Sequence, residues 1–248
     1  MSILLVTGTG TGVGKTVVTA ALASVAMQAH KRVAVVKPAQ TGLTPDEPGD
    51  CAEVTRLTGL SSVHELVRYR EPLAPEAAAR AEGAPPLSLE GVVDAVHSIA
   101  AEDDLVLVEG AGGLLVRLDD RGRTLADLAR MLEAPVVVVV AAALGTLNHT
   151  ALTLEALDRR GLPLAGAIIG SWPDRPGLAE RHNVIDLEAV LQEPLAGAVP
   201  ADSASATQEA FRTIAAESLA PQFGGTFSAA GFRIAQAPQY PGEGEERG

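Results

Sequence analysis

Short apolar runs that contain almost no alternating polar positions recur along this chain. They occupy residues 3–7, 33–36, 105–108, 135–141, 164–169 and 195–199. Runs of this kind are typical of strands that are buried on both faces, as in a parallel sheet. The most apolar of them, 135–141, is predicted to be a central strand.

Segments with helical spacing or helix-capping residues fall between these runs. They are 15–29, 52–57, a short helix beginning near Pro75, 89–101, 125–131, 148–160, 187–192 and 207–219. In the segment 89–101, for example, Ser88 is a candidate N-cap, and every third or fourth residue from Leu89 to Ile99 is apolar. Because strands and helices alternate throughout, we predict an α/β fold with a parallel β-sheet and helices on both faces.

The domain organisation follows from the same pattern. Residues 1–220 are predicted to form a single α/β domain, a length that allows a large core. Residues 221–248 are rich in Pro, Gly, Gln and Glu. We expect this C-terminal tail to be disordered or loosely packed on the surface.

Composition and charge narrow the function classes. The chain has 248 residues and a formal net charge of −12, and no basic tract is present. This argues against a nucleic-acid or anionic-membrane partner. The longest apolar run, 134–144, is too short to span a bilayer, and Met1 and Ser2 lead straight into the first strand. We therefore expect a cytoplasmic protein without a signal peptide, and the single cysteine excludes an intramolecular disulfide framework.

The stretch VTGTGTGVGKT at 6–16 joins the first predicted strand to the first predicted helix. A phosphate-binding P-loop has this arrangement: a strand, a glycine-rich loop, a Lys-Thr pair (here Lys15-Thr16) and a helix. The stretch therefore predicts a P-loop NTPase fold. Backbone N–H groups of the loop would surround phosphate oxygens, Lys15 would reach the β- and γ-phosphates, and Thr16 would bind Mg²⁺. The usual pattern has its first glycine at position 9, but here that glycine is Gly8, one residue early. The alternative is a Gly/Thr-rich turn followed by a chance Gly-Lys-Thr.

Two charged side chains end apolar strands, at the sheet edge where ligands bind in parallel α/β folds. Glu109 follows 105–108 in a Walker-B-like pattern and can bind Mg²⁺ directly or through water. The alternative for Glu109 is a surface acid that caps the following glycine turn. Lys37 follows 33–36 and would add positive charge beside the phosphates. The alternative for Lys37 is a lysine with a buried stem and a solvated amine.

Other polar residues near this edge carry weaker signals. Asp50 stands where a helix N-cap belongs, and a residue there can be both a cap and a metal ligand. Thr41 can equally be a turn residue. His149 has no second histidine at metal-binding spacing, and Cys51 has no base partner in sequence, so neither is predicted to be catalytic.

Four motifs, in this order, resemble those of the dethiobiotin synthetases. They are GTGTGVGKT at 8–16, KPAQTG at 37–42, VEGAGG at 108–113 and LGTLNH at 144–149. The resemblance runs from Ile3 to about Leu219 and is closest to the actinobacterial members. The P-loop alone would indicate only an NTPase, whereas the four motifs together indicate this family.

The resemblance implies an ATP-dependent cyclo-ligase of biotin biosynthesis that uses Mg²⁺, 7,8-diaminononanoate and CO₂. In the implied reaction, an amine of the substrate forms a carbamate with CO₂, and the carbamate oxygen attacks the γ-phosphorus of ATP. The second amine then closes on the carbonyl of the carbamic–phosphoric mixed anhydride and expels phosphate. The resemblance also implies a homodimer whose active sites lie at the subunit interface.

The resemblance further implies roles for individual residues. Lys37 and Lys15 are the implied catalytic residues, and Thr16, Asp50 and Glu109 are the implied metal ligands. ATP contacts are implied for Gly12, Val13, Gly14, Lys15, Thr16, Val17, Asp50, Glu109, Gly110, Ala111, Gly112, Gly170, Ser171, Pro200, Ala201 and Asp202. Substrate contacts are implied for Thr11, Thr41, Gly145, Leu147 and Asn148, of which Asn148 would reach the substrate carboxylate across the dimer.

Two other functions compete with this interpretation. The first is a regulatory ATPase switch of the partitioning or septum-positioning type, which shares the deviant P-loop. Those proteins carry an extra lysine early in the P-loop, and positions 8–13 contain none. The second is a non-catalytic nucleotide-binding module that uses the acidic tail for interactions.

Overall fold

The computed structural model describes residues 2–237. Its strands are Ser2–Gly8 (β1), Val33–Thr41 (β2), Val63–Tyr69 (β3), Leu105–Gly113 (β4), Val136–Val140 (β5), Leu164–Trp172 (β6) and Gly197–Pro200 (β7). Its α-helices are Lys15–Gln28 (α1), Asp50–Thr58 (α2), Pro75–Glu82 (α3), Leu89–Ala100 (α4), Leu125–Met131 (α5), Thr146–Asp158 (α6), Leu178–Leu191 (α7), Gln208–Ser218 (α8) and Ala229–Ala235 (α9). Short 3₁₀ turns occupy Ser203–Ser205 and Pro221–Phe223.

The described strands form one parallel sheet in the order β3-β2-β4-β1-β5-β6-β7. One face is covered by α1, α2 and α8, and the other by α3 to α7. All five valines of β5 are fully buried, which explains the absence of polar alternation in that strand. The predicted fold class is confirmed. Within residues 2–237, no helix is both long and apolar enough to cross a membrane.

Several elements extend beyond their predicted bounds. β2 continues from the apolar run through Lys37 to Thr41, because β3 pairs with it in register as far as Thr41↔Tyr69. α7 begins at Leu178 rather than 187, since its first half is polar and gave little apolar signal. α6 begins at Thr146, so Asn148 lies inside the first turn. α2 begins at Asp50 itself, and the residue in the N-cap position is Gly49.

The C-terminal segment has defined structure as far as residue 237, although most of its residues are exposed. After α8, Leu219 forms an antiparallel bridge with Gly197, and the Ala220 N–H donates to the Ala196 carbonyl (2.9 Å), so the chain covers the outer edge of β7. Phe227 is then buried in the core on the opposite face of the sheet. Residues 221–237 are therefore folded, although they lack periodic apolar positions. A few aromatic side chains, such as Phe227 and Phe232, pack against one another and hold the segment in place. Residues 238–248, the remainder of the predicted tail, lie outside the described residues.

Replacing Phe227 with alanine is expected to lower stability, because its ring is only 8% exposed and contacts Phe232 with ring centroids 5.3 Å apart. A buried Phe→Ala change costs about 3 kcal/mol, which corresponds to a fall in Tm of roughly 6–12 °C for a chain of this size. The matched control is Ile234→Ala on α9, whose side chain is 76% exposed. Thermal unfolding that gave the same Tm for both variants would contradict this packing role.

Candidate active site

The P-loop runs from the end of β1 to the start of α1. Lys15 opens the helix, and its Nζ lies back over the loop and donates to the Gly10 carbonyl oxygen (3.0 Å). The early glycine of the motif has a steric reason. A Cβ on Gly8 would lie 2.6 Å from a methyl carbon of Val13 and 2.8 Å from the Gly10 carbonyl oxygen. The loop thus closes tightly over the end of β1, which only glycine at position 8 allows.

Lys37 lies between two carboxylates at the ligand edge of the sheet. Its side chain is 4% exposed, and Nζ is 2.9 Å from Glu109 Oε1 and in a close ion pair with Asp50. Nζ also donates to the Gly110 carbonyl oxygen (3.1 Å). Glu109 is 1% exposed and Asp50 is 34% exposed. The lysine amine is therefore directed into the fold and not to solvent, which removes the alternative of a solvated sheet-edge lysine.

Burial and the neighbouring charges shift the pKa in opposite directions at Lys37 and Asp50, whereas burial and the charge of Lys37 shift it in the same direction at Lys15. Burial lowers the pKa of Lys37, but Glu109 and Asp50 outweigh it and hold that pKa above its ordinary value. Burial raises the pKa of Asp50, but the charge and hydrogen bond of Lys37 hold it below its ordinary value. The pKa of Lys15 is lowered, first by burial and then by the charge of Lys37. Lys37 is thus held as a cation beside Asp50.

Oxygen ligands for a cation converge at the same point. Thr16 Oγ1 donates to Glu109 Oε1 (2.9 Å), while Glu109 Oε2 is buried and has no hydrogen-bond partner in the described chain. Hydroxyl and carboxylate oxygens are the donors that Mg²⁺ prefers. Residues 2–237 contain no group of three or more His, Cys, Asp or Glu side chains that could hold a metal alone. Thr16, Asp50 and Glu109 therefore fit a Mg²⁺ that takes its remaining ligands from a nucleotide and water.

A cavity of about 870 Å³ opens beside Lys37 and the P-loop. Its lining includes most of the residues predicted for phosphate, metal and substrate. They are Thr11, Gly12, Gly14, Lys15, Thr16, Val17, Lys37, Thr41, Asp50, Glu109, Ala111 and Gly112. Residues from the ends of β1, β2 and β4 thus meet in one space, as the parallel sheet requires.

The remaining predicted residues lie outside this cavity. Val13 and Ser171 line a neighbouring space of about 390 Å³ on the other side of the P-loop, and Gly170 packs against the P-loop backbone at Val13 and Gly14. Pro200 ends β7, and Ala201 and Asp202 follow it next to the end of β6, where the Ala201 N–H donates to the Trp172 carbonyl oxygen (2.6 Å). Gly145, Leu147 and Asn148 lie at the N-terminal end of α6.

Sequence reasoning missed part of the cavity wall. Pro72, Leu73, Ala74 and Pro75 line it after β3, and Val116 lines it after β4. The segment 63–69 mixes polar and apolar residues and was not among the strands predicted above, so the sequence offered no clear reason to place 72–75 at the ligand edge. Gln40 was also missed: its Oε1 accepts the Asp50 N–H (3.0 Å). Cys51 is buried, and burial raises the pKa of its thiol to about 12, which agrees with the prediction that it is not catalytic.

Sequence comparisons identify close relatives over nearly the whole chain. A family model described as an AAA domain matches residues 2–209. A Frankia casuarinae protein named ATP-dependent dethiobiotin synthetase BioD is 58% identical over 94% of this chain and 98% of its own length. A protein of the same name from Streptomyces avermitilis is 56% identical over 96% of this chain and 100% of its own length. Another, from Rhodococcus jostii, is 61% identical over 85% of this chain and 91% of its own length.

Solved structures share the fold at low sequence identity. The septum site-determining protein MinD complexed with Mg-ADP from Pyrococcus horikoshii has a TM-score of 0.53 and 17% identity, over 87% of this chain and 95% of that chain. A ParA family ATPase from Chlorobium tepidum has a TM-score of 0.52 and 15% identity, over 94% of this chain and 96% of that chain. At such identities the likeness shows the fold alone.

Proposed function

This chain belongs to the family of ATP-dependent dethiobiotin synthetases, and from that premise we propose how its residues share the reaction. The activity is an ATP-dependent ligase reaction of biotin synthesis that forms dethiobiotin. One observation carries the assignment of roles. It is the buried Lys37 amine between Glu109 and Asp50, at the wall of the cavity that the P-loop also lines.

The substrates are 7,8-diaminononanoate, CO₂ and ATP. One amine adds to CO₂ and loses a proton, which gives a carbamate. A carbamate oxygen attacks the γ-phosphorus, ADP leaves, and a carbamic–phosphoric mixed anhydride forms. The second amine attacks the carbonyl carbon and loses a proton, phosphate leaves, and the ureido ring closes. Positioning and charge neutralisation are the main demands of such phosphoryl transfer.

Lys37 and Lys15 supply positive charge where negative charge accumulates. Lys15 is at the first turn of α1, where the P-loop N–H groups and the helix dipole also favour phosphate. Lys37 enters from the neighbouring β2 and can contact both the carbamate and the γ-phosphate. Its buried amine is fixed by two carboxylates and a backbone carbonyl, so little reorganisation is needed at the moment of reaction.

Thr16, Asp50 and Glu109 would hold Mg²⁺ together with nucleotide oxygens. The bound ion would neutralise phosphate charge and orient the nucleotide. The P-loop residues 12–17 bind the phosphates, and 110–112 closes the opposite side. Gly170, Ser171 and 200–202 lie together at the ends of β6 and β7, and we assign them to the nucleotide base.

The substrate needs both polar and apolar contacts. Thr11 and Thr41 line the cavity near the lysines and would contact the reacting amines. The wall formed by Pro72, Leu73, Ala74 and Val116 is apolar and suits the methylene chain of the substrate. The carboxylate at the far end of that chain then requires a separate binding group.

The helix α6 is the proposed source of that group, from a second subunit of a homodimer. Gly145, Leu147 and Asn148 lie at its N-terminal end, and Asn148 is exposed. A helix N-terminus favours an anion such as a carboxylate. Apolar side chains around α6 are also exposed, with Leu144 88% and Leu152 56% accessible. A two-fold interface there would bury them and complete two sites by symmetry.

The regulatory-switch alternative is not favoured. Its structural support is a likeness of fold at 15–17% identity, whereas the dethiobiotin synthetase relatives are 56–61% identical.

A single assay tests the proposed function against both alternatives. ADP formation is measured with and without 7,8-diaminononanoate and ¹³C-bicarbonate, and the product is identified by mass spectrometry. We expect ADP formation to depend on both substrates and the label to appear in the product's ureido carbon. ATP hydrolysis that ignored the diamine would point to a switch, and nucleotide binding without turnover would point to a non-catalytic module.

Asp50→Asn and Glu109→Gln are expected to raise the Mg²⁺ concentration needed for half-maximal turnover by about tenfold or more, because each removes a charged oxygen ligand. Calorimetry of Mg²⁺-dependent ADP binding should show the same weakening. The matched control is Glu53→Gln, an acid on the outer side of α2 that pairs with Arg56. If Asp50→Asn kept the wild-type Mg²⁺ requirement, Asp50 would be only the first residue of a helix.

A further inference from the structure

We propose that Arg68, acting with Gln40, is a positioning residue that fixes Asp50 in the active site. The inference rests on the metal-binding role proposed for Asp50 and deepens it. Arg68 does not line the cavity described above; it lies on β3, behind the loop that leads into α2.

One guanidinium group ties this loop to the sheet. Arg68 Nη1 donates to the carbonyl oxygens of Thr44 (2.8 Å) and Glu47 (2.6 Å). On the other side of the guanidinium, Arg68 Nε donates to Glu65 Oε1 (2.6 Å) and Nη2 donates to Glu65 Oε2 (2.8 Å). Such a bidentate pair is both strong and geometrically specific. The residues 44–48 are otherwise exposed, so this guanidinium is their main anchor to β3.

The residue before Asp50 rests on the same ion pair. A Cβ added to Gly49 would lie 2.9 Å from Arg68 Nη2 and 3.1 Å from Glu65 Oε2. It would also lie 2.9 Å from Gln40 Oε1. The chain therefore passes directly over the Arg68–Glu65 pair as it enters α2, and a side chain at position 49 would displace the ends of the side chains that support it.

Gln40 completes the support from the neighbouring strand. Gly49 has no side chain to cap α2, and Gln40 Oε1 accepts the first N–H of the helix, that of Asp50 (3.0 Å). β2 and β3 are paired in register, with Lys37 opposite Glu65 and Gln40 opposite Arg68. The strand that carries Lys37 and the groups that hold Asp50 thus form one rigid unit. This unit fixes the distance between the amine of Lys37 and the carboxylate of Asp50.

Arg68→Ala is the direct test, and Arg68→Lys keeps the charge but not the bidentate fork. In both we expect a Mg²⁺ requirement about tenfold higher than wild type, while ADP affinity without Mg²⁺ is unchanged. Hydrogen exchange at the amides of the first turn of α2 should become faster. The control is Arg80→Ala, which removes an exposed arginine paired with Glu76 on α3. If both Arg68 variants matched the control in hydrogen exchange and Mg²⁺ requirement, the proposal would be wrong.

A double variant separates this proposal from a general loss of stability. If Arg68 acts through Asp50, adding Arg68→Ala to Asp50→Asn should change the Mg²⁺ requirement little further, whereas independent effects multiply. Full multiplication would overturn the positioning role. Gln40→Ala provides the same test should Arg68→Ala fail to fold. Asp50→Asn without any effect on Mg²⁺ would instead refute the proposed metal role, and hydrogen exchange in α2 would still report on Arg68.

Discussion

Replacing Lys37 with alanine is expected to reduce dethiobiotin formation on the order of 10²–10³-fold or more, the usual effect of removing a preorganised charge from a transition state. Lys37 is the cation that we propose to contact the carbamate and the γ-phosphate, and its amine is held by fixed protein groups at the wall of the cavity. It is 4% exposed and contacts Glu109, Asp50 and the Gly110 carbonyl. Lys37→Met should lose as much, since it keeps most of the stem and lacks only the charge.

The loss must be distinguished from unfolding. Removing the amine leaves the Glu109 and Asp50 carboxylates without their shared cation, so Tm should fall by several degrees. Adding Glu109→Gln to Lys37→Ala should restore Tm, but not turnover. Lys31→Ala, at an exposed lysine before β2, is the control for charge alone. A Lys37→Ala enzyme that kept more than about a tenth of wild-type turnover would contradict the catalytic role.

The sequence could predict Lys37, Glu109 and the P-loop because each follows directly from an apolar strand. In a parallel sheet, that position alone determines the edge at which the side chain lies. The position of Asp50 could not be predicted in this way, because Asp50 follows a loop with Pro, Gly and Asp. Such a loop has no periodic pattern from which its path could be inferred. Its location depends on Arg68, which contacts backbone carbonyl groups, and such contacts leave no pattern in the sequence.

The C-terminal segment could not be predicted for a related reason. Its packing depends on isolated aromatic residues, and Phe232 meets the edge of Trp172 at a centroid distance of 5.0 Å and an angle of 72°. Trp172 is more than fifty residues away in sequence, and a composition rich in Pro and Gly hides such a contact. Local composition indicates how much apolar surface a segment offers, but not whether a distant strand end provides a partner for it.

The proposed sharing of active sites between subunits leads to the second large effect, which is recovery of activity from two inactive variants. Lys37→Ala removes the cation from the site of its own subunit. Asn148→Trp places a bulky ring at the exposed N-terminal end of α6 and should block the site to which that helix contributes. If α6 completes the partner's site, a mixed dimer has one site with both defects and one site with neither.

The expected recovery can be calculated from the symmetry. When equal amounts of the two variants exchange subunits at random, half of the dimers are mixed, and each mixed dimer has one intact site of two. Activity should therefore rise from near zero to about a quarter of the wild-type value per subunit. Orthogonal affinity tags on the two variants show that mixed dimers form. The control is a mixture of Lys37→Ala with Lys15→Ala. Lys37 and Lys15 belong to the same half of each site, so in a mixed dimer each site carries one of the two changes and neither is intact. Recovery in the first mixture alone would establish that α6 acts across the interface. Equal, negligible activity in both mixtures, with mixed dimers present, would mean that each subunit binds the substrate carboxylate by itself.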